Sequence, residues 1–209
     1  MASSVIHMAV ANEVNKVLKR NNDELLIGSI APDISKHLGE TKKMSHFEDD
    51  DGTSIPNMER FLDKYQSHLD NDFVMGYYIH LYTDYFWFKE FIPSVFDNDF
   101  ITKLDGTKVK CNGNMLSLYI YNDYSNLNTR LLDEYDMDLS IFYNEKPELE
   151  NIIEEIPMDK LQIIIDQASI IIENSKVHKD YVFNIEKIKE FIGYCVEKTI
   201  EKLKELNYI

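Results

Sequence analysis

Phe73-Val-Met-Gly-Tyr-Tyr-Ile-His-Leu-Tyr-Thr-Asp-Tyr-Phe-Trp-Phe88 is the most aromatic stretch of the chain, and it carries His80 and Asp84 four residues apart. On a helix that spacing puts both on one face, shared with Phe73, Gly76, Tyr77, Trp87 and Phe88. An imidazole and a carboxylate are therefore carried into apolar surroundings. An unpaired carboxylate there costs several kcal/mol, on the order of the whole stability of a small domain, unless a partner offsets it. A bound cation is the simplest such partner. The stretch predicts a helix from about residue 72 to 87 or slightly beyond, ending before Pro93.

Working outward, Ser3 or Ser4 caps a first helix that runs to about residue 19, with Asn21-Asn22-Asp23 as its terminator. His7, Val10, Ala11, Val14, Val17 and Leu18 form one stripe of that helix, which puts His7 on its buried face. A short apolar segment, residues 25–30, leads into Gly28-Ser-Ile-Ala-Pro-Asp33, where Pro32 stiffens the backbone just before Asp33. Residues 36–54 read as a polar loop in which only Ser45-His46-Phe47 looks buried. Further helices are expected at about 57–69, 114–135, 158–174 and 184–206, the last with Ile185, Ile188, Ile192, Val196, Ile200 and Leu203 at helical spacing. Residues 101–110 alternate around Asp105-Gly106, the composition of a two-residue hairpin turn and the one β element expected. The fold class is all-α: a multi-helix bundle with one small β-hairpin. It forms a single domain over residues 1–209, with a metal-site half at about 1–95 and a scaffold half at about 110–209.

Composition agrees with a globular, helix-friendly chain: 209 residues, 44% hydrophobic, seven glycines and five prolines. Twenty-two basic against 37 acidic side chains give a net charge of −15, which repels phosphate backbones and argues against nucleic acid as a partner. No basic, apolar leader and no apolar run of spanning length are present, so the expected location is cytoplasmic and no membrane span is expected. Cys111 and Cys195 belong to no metal spacing and read as reduced and structural.

His7, Asp33, His46, His80 and Asp84 together supply three imidazoles and two carboxylates. Oxygen and imidazole nitrogen around a borderline-soft cation is the ligand set of catalytic zinc, whereas structural zinc leans on cysteine. Taken singly each has an ordinary reading: a core histidine, a turn aspartate, a loop histidine, an i,i+4 ion pair. Their combination is what points to metal.

In order along the chain, His7, then Gly28-Ser-Ile-Ala-Pro-Asp33, Ser45-His46-Phe47 and Gly76-Tyr-Tyr-Ile-His80-Leu-Tyr-Thr-Asp84, these residues resemble the zinc-dependent phospholipase C family. The resemblance covers about the first 90 residues. It implies an all-helical fold similar to that of the fungal zinc nucleases and hydrolysis of a phosphoester, a small one or a phospholipid headgroup. It implies further that Asp33, His46, His80 and Asp84 surround one zinc, that His7 with a bridging Asp84 holds another, and that Asp33 is the base beside the attacking water. Secreted members of that family add the amino group of an N-terminal tryptophan to the first histidine, and His7 lies too close to Met1 to reproduce that spacing. The family's further histidine, six residues past the helix aspartate, is Glu90 here, and the later His-x-x-x-Glu pair is missing. One or two zinc ions are thus implied, and a third only if Glu90 serves as a ligand.

Other features read as ordinary. Glu48-Asp-Asp-Asp51-Gly52 lacks the alternation and the closing glutamate of a calcium loop. His37, His68 and His178 read as surface histidines. Tyr77, Tyr78, Tyr82, Tyr85, Phe86, Trp87 and Phe88 read as core before they read as a substrate pocket. A helical metal phosphohydrolase of the histidine-aspartate class needs an adjacent His-Asp dipeptide, which the chain does not contain. The alternative of another class is a non-catalytic helical interaction module stapled by a structural metal.

Overall fold

Apolar periodicity and caps set the elements, and the computed structural model describes them over residues 1–97, 99–177 and 179–209. In chain order they are α1 (Ser4–Leu18), α2 (Asn22–Ile30), α3 (Ile34–His37), α4 (Met58–Tyr65), α5 (Asp72–Phe86), α6 (Ile92–Val95), β1 (Phe96–Asp97), β2 (Phe100–Thr102), β3 (Lys108–Lys110), α7 (Gly113–Glu134), α8 (Gln162–Glu173) and α9 (Ile185–Glu205). The chain is mostly helical, with one small antiparallel sheet in the order β1-β2-β3. A third strand thus joins the expected hairpin, with Ile101 opposite both Phe96 and Val109. Among the described residues, no helix is long and apolar enough to cross a membrane.

Side chains at the helix starts explain several boundaries. Asn21, Asn57, Asn71, Asn112 and Asn184 each accept a backbone N–H of the first turn with their side-chain oxygen. Asn21 is a correction to the sequence reading, which took Asn21-Asn22-Asp23 only as the end of α1. Lys19 closes α1 in the left-handed conformation at φ 56, and the next helix starts three residues later. The central helix also outruns its expected end, because a π turn over Trp87–Phe91 carries it into α6. There the Ile92 N–H reaches back to the Trp87 carbonyl, and Pro93 falls in the first turn of the new segment, where a missing N–H is tolerated.

The turn between β2 and β3 also departs from the two-residue form. Gly106, at φ +82, donates to the Lys103 carbonyl at 2.9 Å, and the Asp105 side chain accepts from Thr107 N at 3.0 Å. The loop is longer because Asp105 folds back on Thr107, leaving Gly106 to take the left-handed position.

Helix α1 lies at the centre, against α2, α5, α7, α8 and α9. Its residues 4–11 are buried on every side, which is why the expected stripe is too narrow at the start and too wide at the end, where Val17 is exposed. The tightest pairing is α2 on α5, where Gly28 and Gly76 let two backbones meet. Trp87, Tyr77 and Tyr78 are fully buried and serve the core, and one contiguous apolar cluster draws on both halves of the chain.

Asp123, on α7, was not singled out by sequence, yet it is fully buried and ties the segment before α9 to the bundle. Its carboxylate accepts the backbone N–H groups of Tyr181, Val182 and Phe183 at 2.9, 2.7 and 3.1 Å. Asp123→Ala leaves those donors without their acceptor and should destabilise the chain by about 2–3 kcal/mol. Thermal unfolding should show the melting temperature lower by roughly 5–10 °C; a shift under 2 °C would remove Asp123 from the account of stability.

Candidate metal centre

The two helix faces and two turns converge. His7 comes from the second turn of α1, whose start is fixed by Ser3 accepting Ile6 N with its side chain. His80 and Asp84 come from α5, one turn apart. Asp33 closes the short 3-10 turn Ala31–Asp33 that continues α2. His46 comes from the turns at residues 42–47, where its N–H donates to the Lys42 carbonyl at 2.8 Å.

All five side chains are buried, Asp33 the least so. His7, His80 and Asp84 offer ligand atoms within 4.8 Å of one another, and Asp33, His46 and His80 do the same, so His80 belongs to both groups. The His7 and His80 rings stack at 3.7 Å between centroids. Asp84 divides its oxygens: Oδ1 accepts Ala2 N at 3.0 Å and lies 3.3 Å from His7 Nε2, while Oδ2 lies 3.5 Å from His46 Nε2 and 3.9 Å from His80 Nε2. That is the posture of a carboxylate able to bridge.

Proton placement follows from the partners. The Ser29 carbonyl, 2.7 Å from His80 Nδ1, can only accept, so Nδ1 carries the proton and Nε2 is a bare lone pair. Ser45 Oγ donates to the Lys42 carbonyl at 3.1 Å and so accepts from His46 Nδ1 at 3.0 Å, which leaves His46 Nε2 bare as well. The two nitrogens face each other at 3.2 Å with no proton of their own to share, and Lys42 Nζ lies 3.2 Å from that of His46. Burial, with Lys42 second, lowers the His46 pKa; burial, with His7 second, holds His80 well below the ordinary imidazole range. Both rings are therefore neutral, the state that ligates metal. Burial pushes the Asp33 carboxyl up, but Lys42 and His46 outweigh it and hold the group well below the usual range. Asp84 is held low in the same way, burial being outweighed first by His7.

Orphaned polar atoms collect at the same place. Both ring nitrogens of His7 and Oδ2 of Asp84 are buried with no hydrogen-bond partner among the described residues. Each such atom costs about 1–3 kcal/mol. A cation accepting lone pairs from His7, His80 and Asp84 would relieve the orphaned acceptors and engage the His80 lone pair that faces His46, so the donor set fits zinc.

Sequence reasoning missed several neighbours. Lys42 forms an ion pair with Asp33 and sits 3.2 Å from His46 Nε2 and 3.1 Å from Met1 Sδ. Its one available signal was its place four residues before His46. The segment ahead of His7, expected to fall short, reaches the centre: Ala2 is hydrogen-bonded to Asp84, and Met1 offers its carbonyl to Tyr124 Oη. Against this segment lies a cavity of about 360 Å³ whose wall includes Asp33, Lys36, His37, Tyr121, Tyr124 and Asn128. His37 is therefore half-buried at the cavity and not simply a surface residue, whereas His68 is exposed and His178 lies outside the described residues. The C-terminal half, read as scaffold, supplies much of this wall through α7 and α8.

Glu90 does not join the cluster. It is exposed on the π turn, next to Tyr194. Cys111 and Cys195 are buried free thiols, and the acidic run at 48–51 is largely exposed, with Asp49 paired to Arg60. Comparison of the chain with protein-family models, with curated proteins and with solved structures found no match.

Proposed function

We propose that this chain is a zinc-dependent phosphoester hydrolase of the phospholipase C type, with the helical fold of that family and of the fungal zinc nucleases. The observation that carries the reading is the convergence of three buried imidazoles and two carboxylates, in which His80 is shared by the groups His7/His80/Asp84 and Asp33/His46/His80 while both His7 ring nitrogens and Asp84 Oδ2 lack hydrogen-bond partners. Buried lone pairs crowded in this way, with no donor for His7 or Asp84 Oδ2, call for a cation among them.

Zinc held there would supply a Lewis acid and a bound water acidified toward neutrality. His7, His80 and Asp84 are the residues to hold it, with Asp33 and His46 at its edge beside Lys42. Ser29 and Ser45 fix the tautomers and aim both Nε2 atoms inward. Asp33 is the one of the five that lines the cavity, so it is the carboxylate that meets an attacking water. Its pairing with Lys42 keeps it ionised and makes it a weak proton acceptor, which favours orientation of that water over full removal of its proton. The cavity suits a small phosphoester or a phospholipid headgroup, with Tyr121 and Tyr124 as its aromatic wall.

Protein purified without chelator should carry stoichiometric zinc, and should hydrolyse a chromogenic phosphodiester or phosphomonoester in a reaction lost on chelation and restored by zinc. Metal-free protein that takes up no zinc, or zinc-loaded protein inert on the whole panel, sinks the reading. One observation favours the interaction module with a structural metal: His7, His46, His80 and Asp84 have no measurable exposure. On that reading zinc binds and raises stability while no phosphoester is turned over.

A further inference from the structure

We propose that Lys42 is a built-in cation of this centre, its ammonium filling the Asp33/His46 side so that a single metal ion is held on the His7/His80/Asp84 side. The inference rests on the metal-binding reading above and limits it to one ion.

The ammonium already contacts the two donors that a second ion would need. It is paired with the Asp33 carboxylate and lies 3.2 Å from the bare Nε2 of His46. A zinc ion bound to that nitrogen at about 2.0–2.1 Å would occupy the same lone pair. Lys42 and a metal therefore exclude each other at these atoms. The lysine is also placed by the backbone that places its partner: the Lys42 carbonyl accepts both His46 N and Ser45 Oγ, so residues 42 and 46 lie one above the other on a single turn. Its side chain keeps 19% of its exposure, against 5% for Asp33, so the ammonium sits at the outer edge of the centre.

Charge counting favours the same assignment. The two carboxylates bring −2, Lys42 brings this to −1, and one dication brings it to +1. Two dications beside a retained ammonium would leave +3 in a poorly solvated site, with strong mutual repulsion. The orphaned atoms divide in the same way. His7 and Asp84 Oδ2 lack partners, whereas Asp33 is satisfied by Lys42.

Zinc stoichiometry tests this without reference to activity. Titration against a competing chelator dye, with metal analysis after desalting, should give one equivalent for the wild-type chain and for Lys42→Arg, and a second equivalent for Lys42→Gln. A wild-type chain holding two ions, or Lys42→Gln holding one at unchanged affinity, overturns the role of Lys42 and leaves the metal reading standing. A wild-type chain holding none fails the metal reading itself. Should Lys42→Gln not fold, acylation footprinting of the wild-type chain decides: Lys42 should stay protected when one equivalent of zinc is added, and a rise in its labelling shows that zinc has displaced it.

Discussion

Gly76→Ala should leave little or no folded protein. A Cβ built on Gly76 would lie 2.0 Å from the Leu25 carbonyl oxygen, and one on Gly28 would lie 2.1 Å from that of Phe73. Both obstacles are backbone atoms, which cannot rotate away as a side-chain tip can. Relief requires α2 and α5 to separate by more than an ångström along the tightest contact of the fold, opening the core around Leu25, Phe73 and Tyr77. The same separation would pull the Ser29 carbonyl from His80 Nδ1 and release the ring that both ligand groups share. Overpacking of ordinary cores costs about 1–3 kcal/mol, and a clash with fixed backbone atoms should exceed it. A loss above about 4 kcal/mol corresponds to a melting temperature lower by roughly 10 °C or more, or to insoluble protein. Gly193 is the control, since a Cβ there meets nothing within 4 Å in the middle of α9; Gly193→Ala should stabilise by about 0.5–1 kcal/mol. A Gly76→Ala protein that melts within two degrees of its parent would show that the helices can part cheaply.

The contrast between those two glycines shows what a sequence can and cannot carry. Nothing in Gly28 or Gly76 as letters distinguishes them from Gly193, because their role lies in a neighbour some fifty residues away. Features set by local pattern were legible: His80 and Asp84 on one face, His7 on the inward side of α1, the long amphipathic α9, and His46 in Ser45-His46-Phe47, the group that looks buried in its polar loop. Asp33 was legible through Pro32, which fixes the turn that carries it. Asn21 was misread because asparagine serves equally at the end of one helix and the start of the next. Lys42 was passed over because a lysine in a polar loop is almost always solvated, and only the meeting of residues 33, 42 and 46 reveals its partner. The π turn after Phe86 and the cavity wall from α7 and α8 depend on tertiary packing and left no local pattern to read.

Asp84→Ala should abolish zinc binding, whereas Asp33→Asn should keep the ion and lose the chemistry. Asp84 is the carboxylate with one oxygen toward His7 and the other toward His46 and His80, so its removal takes the only carboxylate from the His7/His80/Asp84 group, while Lys42 holds the carboxylate of the other group. Asp33 instead lies on the cavity side, paired with Lys42, and the group of His7, His80 and Asp84 does not include it. An ion that binds only the native state stabilises it by about 4 kcal/mol when present at a thousandfold excess over its dissociation constant. Thermal unfolding with and without zinc should therefore show a shift of roughly 8–16 °C for the parent and for Asp33→Asn, and none for Asp84→Ala. Phosphoester hydrolysis should fall about 100-fold in Asp33→Asn, the loss expected when a reacting group is no longer correctly oriented. If both variants keep the zinc shift, the ligand set is wrong. If Asp33→Asn keeps full turnover, the water is oriented by another group, and among the cavity residues Asn128 and Tyr124, which flank the Met1–Ser4 segment, become the next to replace.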